Sequence, residues 1–110
     1  MRILIVEDSR TCRDMLAARL RAEPVRAEVV TAATLVEARK ALASARFALV
    51  VLDLELGNER GAELLPLPCP VVIATSSPDS APAGYYVVTK GRNFAASVER
   101  VAETVRWRLK

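Results

Sequence analysis

Six polar residues stand where short apolar runs end. Glu7 and Asp8 follow Ile3-Leu4-Ile5-Val6, and Asp53 follows Ala48-Leu49-Val50-Val51-Leu52 with Glu55 just behind it. Thr75 closes Val71-Val72-Ile73-Ala74, and Lys90 comes just after Tyr85-Tyr86-Val87-Val88. Carboxylates gathered from separate runs repel one another unless a cation sits among them. A hard divalent ion with oxygen ligands, most simply Mg²⁺, relieves that repulsion. It also screens an incoming phosphoryl group. Asp53 is then a nucleophile toward phosphorus that forms an acyl phosphate. The Lys90 ammonium and the Thr75 hydroxyl supply a charge and a donor to the phosphoryl oxygens.

For that chemistry the runs must be strands lying side by side. Ile3–Val6, Ala48–Leu52 and Val71–Ala74 are continuously apolar, the mark of strands covered on both faces. Ala27–Thr31 and Tyr85–Val88 complete a set of five strands. Between the first two, Cys12, Met15, Leu16, Arg19 and Leu20 follow helical spacing, and Glu23-Pro24 ends that helix. Thr34-Leu35-Val36-Glu37 reads as a capping box. It opens a helix with Leu35, Ala38, Ala41, Leu42 and Ala45 on its buried stripe. Gly61–Leu65 leaves room only for a short helix, because Pro66, Pro68 and Pro70 follow. Ser76–Gly84, with Pro78 and Pro82, predicts a loop holding at most one helical turn. Phe94, Val98, Val101, Ala102, Val105 and Leu109 form a last amphipathic helix capped by Asn93. The alternation implies a doubly wound α/β fold with a parallel sheet, whose site lies at the carboxyl ends of the strands.

The composition narrows the function. With 110 residues the chain is expected to be one domain, residues 1–110. No run approaches the ~18 apolar residues of a membrane span. The start MRILIVED is a strand pattern, not a secretory leader. Cys12 and Cys69 lack metal spacing and are expected as reduced thiols in the cytoplasm, with Cys12 a core residue. The absence of histidine removes His-based triads and most zinc sites. The net charge of +3 comes from scattered residues, so no direct nucleic-acid partner is expected. The arginines of the first and last helices are expected on solvated faces. Trp107 is expected to pack, and the Glu55 side chain to be solvated.

Five segments in order carry a resemblance to a known family. Leu4-Ile5-Val6-Glu7-Asp8-Ser9, Leu49-Val50-Val51-Leu52-Asp53-Leu54, Gly61, Pro70 through Ser76, and Val88-Thr89-Lys90 resemble the receiver domains of bacterial two-component response regulators of the chemotaxis-regulator kind. The likeness covers essentially the whole chain. It implies a flavodoxin-like strand order 2-1-3-4-5. It also implies phosphorylation of Asp53 by a histidine kinase or phosphotransfer protein, and output through a downstream protein target. Asp8 and Asp53 would hold Mg²⁺ with the backbone carbonyl of Glu55, and Glu7 would help through water. Thr75 would swing toward the phosphoryl group and Lys90 would pair with it. The side chains of Glu55 and Ser77 would tune the phosphoryl lifetime. The domain would not be an enzyme beyond assisting its own phosphoryl transfer and dephosphorylation.

The departures are as informative. Gly57 and Gly91 stand where the family usually has proline, and Val87 stands where it has the aromatic switch residue. Tyr86 is one position off and would face the other side of the sheet. The third helix is short and the fourth is reduced or replaced by a loop. That predicts uncovered apolar surface around Ile73 and Val87, with Tyr85 and Trp107 nearby, suited to a homodimer or docking face. Two other functions compete. One is a degenerate receiver acting as a phosphorylation-independent binding or dimerisation module. The other is a phosphohydrolase, suggested by Asp53-Leu54-Glu55. No output domain follows Lys110, so a free-standing regulator or an excised domain is expected.

Overall fold

A computed structural model describes residues 1–24 and 26–109. The strands are β1 (Arg2–Val6), β2 (Glu28–Ala32), β3 (Leu49–Leu52), β4 (Glu55–Leu56), β5 (Glu59–Arg60), β6 (Val71–Thr75) and β7 (Tyr86–Thr89). The α-helices are α1 (Arg10–Arg21), α2 (Leu35–Ser44) and α3 (Phe94–Arg108). Five strands form one parallel sheet in the order β2-β1-β3-β6-β7, which is the flavodoxin-like order expected from the sequence.

The sheet separates two cores, and the period of two along each central strand feeds both. Ile3 and Ile5 of β1, Leu49 and Val51 of β3, and Val72 and Ala74 of β6 pack with Leu16 and Leu20 of α1 and Val98, Val101 and Val105 of α3. The alternate residues Leu4, Val6, Val50, Leu52, Val71 and Ile73 pack with Leu35 and Ala38 of α2. A strand with both faces buried has no polar position to spare, so its chemistry is confined to its ends.

The helix starts are specified locally. Ser9 accepts from the Cys12 amide, Thr34 from Glu37, and Asn93 from Ala96. Glu37 departs from the reciprocal capping-box bond: its carboxylate accepts from the Ala33 amide and the Thr34 hydroxyl.

Two features of the fold differ from the sequence expectation, and the short helix between them agrees with it. Glu55–Arg60 forms a small antiparallel hairpin, β4–β5, with Gly57 in the left-handed region at φ +64°. The short helix after it is a 3₁₀ turn over Gly61–Leu64, as the proline-rich run behind it demands. The expected gap over Ile73 is closed, because Ile73 is fully buried. Leu54, Leu56 and Leu64 belong to the core around it, and Ala81 and Tyr85 of the loop pack against that core. That loop contains a single 3₁₀ turn, Pro78–Ser80, in place of a fourth helix. Val87 keeps 37% of its surface exposed. Trp107 is exposed, not packed as expected, and lines a depression with Tyr86, Thr104 and Arg108.

Candidate functional site

The backbone ladder sets the site. Glu7, Asp53 and Lys90 are each the first residue beyond a strand, and each amide still donates to the last carbonyl of the neighbouring strand. Glu7 N–H meets Ala32 O at 3.0 Å, Asp53 N–H meets Val6 O at 3.0 Å, and Lys90 N–H meets Thr75 O at 2.8 Å. Register therefore delivers the three side chains to one end of the sheet.

There Lys90 Nζ bridges two carboxylates, 2.6 Å from Glu7 Oε1 and 2.7 Å from Asp53 Oδ2. The other Asp53 oxygen, Oδ1, accepts the Glu55 amide at 3.1 Å. Asp53 is thus oriented from both sides. Gly61 makes this turn possible. Its amide donates to Leu54 O at 2.8 Å, and a Cβ at this position would lie 2.0 Å from the Asp53 carbonyl oxygen.

Asp8 joins from the rim, where it is exposed. Oxygens of Glu7, Asp8 and Asp53 lie within 4.8 Å of one another. Three carboxylates against one ammonium leave a surplus of negative charge in a partly buried place. Burial pushes the Glu7 carboxyl up, the Asp53 charge adds to that, and the Lys90 bond only partly opposes it, so the pKa reaches about 7. Burial would lower the pKa of Lys90, but the bonds to Asp53 and Glu7 outweigh it and hold the ammonium above its ordinary value. The donor set fits a hard divalent cation: carboxylate oxygens, close together, with charge left to neutralise.

The family model of the response regulator receiver domain matches residues 3–89. The chain belongs to the receiver domain family. No curated protein matches it in sequence. Solved structures do. The phosphorylated cyanobacterial phytochrome response regulator RcpA is 25% identical with a TM-score of 0.80, covering 99% of this chain and 94% of that one. The response regulator TrrA of Thermotoga maritima, in complex with Mg²⁺-BeF, is 25% identical with a TM-score of 0.76, covering 97% of each chain. The response regulator domain of Thermotoga maritima CheB shares the fold, with a TM-score of 0.82 at 23% identity over 98% of this chain and 95% of that one.

In this receiver, Thr75 lies at the same sheet end but fully buried, and its oxygen accepts the Ser77 amide at 3.1 Å. The Glu55 carboxylate is exposed, as expected, yet held by the hydroxyls of Ser76 and Ser77. Val87 and Tyr86 face opposite sides of the sheet, as the strand period requires, and Arg108 stacks over the Tyr86 ring.

Several supporting residues escape sequence reasoning. Arg13 is not simply solvated: its Nη1 donates to the carbonyls of Glu7 at 3.1 Å and Asp8 at 3.2 Å, fixing the acidic turn. Arg19 and Arg106 depart from a solvated face too, since both bind the buried Glu23. Cys12 is only half-buried rather than a core residue. The Arg13 contact had one available signal, a basic residue in the first turns behind an acidic strand end.

Proposed function

We propose that this receiver takes a phosphoryl group on Asp53 from a phosphohistidine of a histidine kinase or phosphotransfer protein, and passes the signal to a downstream protein. The observation that carries this reading is Lys90 Nζ held between Glu7 Oε1 and Asp53 Oδ2, at 2.6 and 2.7 Å. A cation on the Asp53 carboxylate supports it, because a phosphoryl group brought there carries negative charge. An Asp53 oxygen attacks phosphorus. The bond from phosphorus to the donor nitrogen breaks, and the nitrogen keeps the electron pair. Lys90 moves its charge from the carboxylate to a phosphoryl oxygen, while the Glu55 amide keeps Asp53 oriented. Asp8 and Asp53, with Glu7 behind them and the Glu55 carbonyl, would hold Mg²⁺, which supplies charge neutralisation when bound. RcpA, phosphorylated, and TrrA, with Mg²⁺-BeF, support both parts of this reading. We assign no turnover beyond the domain's own phosphorylation and dephosphorylation. We place it in the cytoplasm, in keeping with the free thiols of Cys12 and Cys69.

A phosphorylation-independent binding module is the second reading. It is favoured by Thr75, whose oxygen is engaged by Ser77, and by Val87 at the aromatic position. A homodimer through the region without a fourth helix has less apolar surface to bury than the sequence suggests, since Ile73 is covered.

The test is intact mass after incubation with Mg²⁺ and a small acyl-phosphate donor, on wild type and Asp53→Ala. One labile phosphoryl adduct on wild type alone supports the switch. Its absence from wild type moves the reading to the binding module.

A further inference from the structure

Ser97 is a buried hydroxyl on the apolar face of α3, only 1% exposed, beside Val98, Val101 and Ala102. A hydroxyl in such a place costs stability unless it is hydrogen-bonded. Its bonds converge on the segment that carries Lys90. Ser97 Oγ accepts the Gly91 amide at 3.1 Å. Its single proton is shared between the carbonyls of Thr89 and Asn93, each at 3.4 Å. One hydroxyl thus holds the peptide group on either side of Lys90. Arg100 Nη2 also reaches the Thr89 carbonyl at 3.4 Å, from the exposed side.

The geometry points to Ser97 as a positioning residue for Lys90. A Gly91 backbone is the loosest that could follow a residue with so exact a task. The Gly91 amide offers a hydrogen bond, and Ser97 takes it. On one side Lys90 is pinned to β6 by its own amide on Thr75. On the other it is pinned to α3 by Ser97. Between these points the ammonium is aimed at Glu7 and Asp53. The Ser97 bond to Asn93 alone would be a local feature of the first turn of α3. The bonds to Thr89 and Gly91 tie that turn to the site.

This inference rests on the phosphoacceptor reading for its effect on rate, so a second readout is independent of phosphorylation. The variant is Ser97→Ala, which keeps α3 intact because alanine is the better helix former; circular dichroism verifies the fold. The first readout is the rate of adduct formation with Mg²⁺ and an acyl-phosphate donor, followed by intact mass. The second is the solvent exchange of the Lys90 ammonium protons by NMR, with no donor present. Ser97→Ala is expected to slow the adduct about tenfold, the equivalent of roughly one lost hydrogen bond, and to speed ammonium exchange. A folded variant that changes neither readout, or only one of them, overturns the inference. A wild type that takes no phosphoryl group overturns the phosphoacceptor reading instead, and ammonium exchange then decides the role of Ser97 alone.

Discussion

Glu7 and Glu23 both hide nearly all of their own surface, 2% and 6% exposed, and each meets a cation, yet Glu7 lies deeper in the protein and their pKa values move in opposite directions. Glu23, just past the end of α1, faces two guanidiniums. Arg106 brackets it with Nε at 3.1 Å and Nη2 at 2.9 Å, and Arg19 Nη1 lies at 2.7 Å. The Arg106 bond lowers its pKa; burial opposes this, and Arg19 adds to the lowering. Glu7 shares one ammonium with Asp53; burial raises its pKa to about 7, the Asp53 charge adds to the rise, and the Lys90 bond only partly opposes it. Glu23 is a rivet between α1 and α3 because two guanidiniums match its charge, one of them, Arg19, shared with Glu99. Glu7 belongs to a site with more carboxylates than cations, a donor set that fits a hard divalent cation.

The largest effect that can break this contrast is on phosphorylation. Lys90→Ala should slow the adduct on Asp53 by about 10²–10³-fold, the usual loss for one electrostatic donor, while Glu23→Gln leaves the rate unchanged by the same mass assay. Gly61→Ala should come next. Its Cβ has no room beside the Asp53 carbonyl, so a stability loss of about 1–3 kcal/mol is expected in urea unfolding. Glu23→Gln should cost less, about 1 kcal/mol in the same experiment, because its guanidiniums remain partly hydrated.

The smallest effect is in the pH profile of stability without added metal. The folded Glu23 holds its proton less tightly than the unfolded chain. Its contribution is therefore complete above the ordinary value of 4.5 and is lost as the pH falls through its lower folded value. Glu7 has the opposite sign. The folded protein keeps the Glu7 proton up to about pH 7 while the unfolded chain releases it near 4.5, so stability should fall as the pH rises between those values. Urea midpoints across pH should lose the acid limb in Glu23→Gln and the neutral limb in Glu7→Gln.

The contrast also explains what was legible in the sequence. Glu7, Asp53 and Lys90 could be read because strands buried on both faces push polar residues to their ends, and parallel register gathers those ends. Glu23 reads only as the residue before Pro24, since one partner is a helical turn away and the other is Arg106 on a distant helix. The β4–β5 hairpin is too short for its alternation to show. Ile73 was expected to lack cover because 76–84 has no helical period, but Ala81 and Tyr85 need no period to pack against the core around it. Ser97 looks like an ordinary small residue until the fold brings Thr89 and Gly91 to it.

We propose that Glu7, Asp8 and Asp53, whose carboxylate oxygens lie within 4.8 Å of one another, hold one divalent cation. Thermal unfolding with and without millimolar Mg²⁺ tests it most directly, on wild type and Asp8→Asn. Mg²⁺ is expected to raise the wild-type midpoint in a saturable way and to do much less for Asp8→Asn. An unchanged wild-type midpoint, or an equal rise in both proteins, would contradict it.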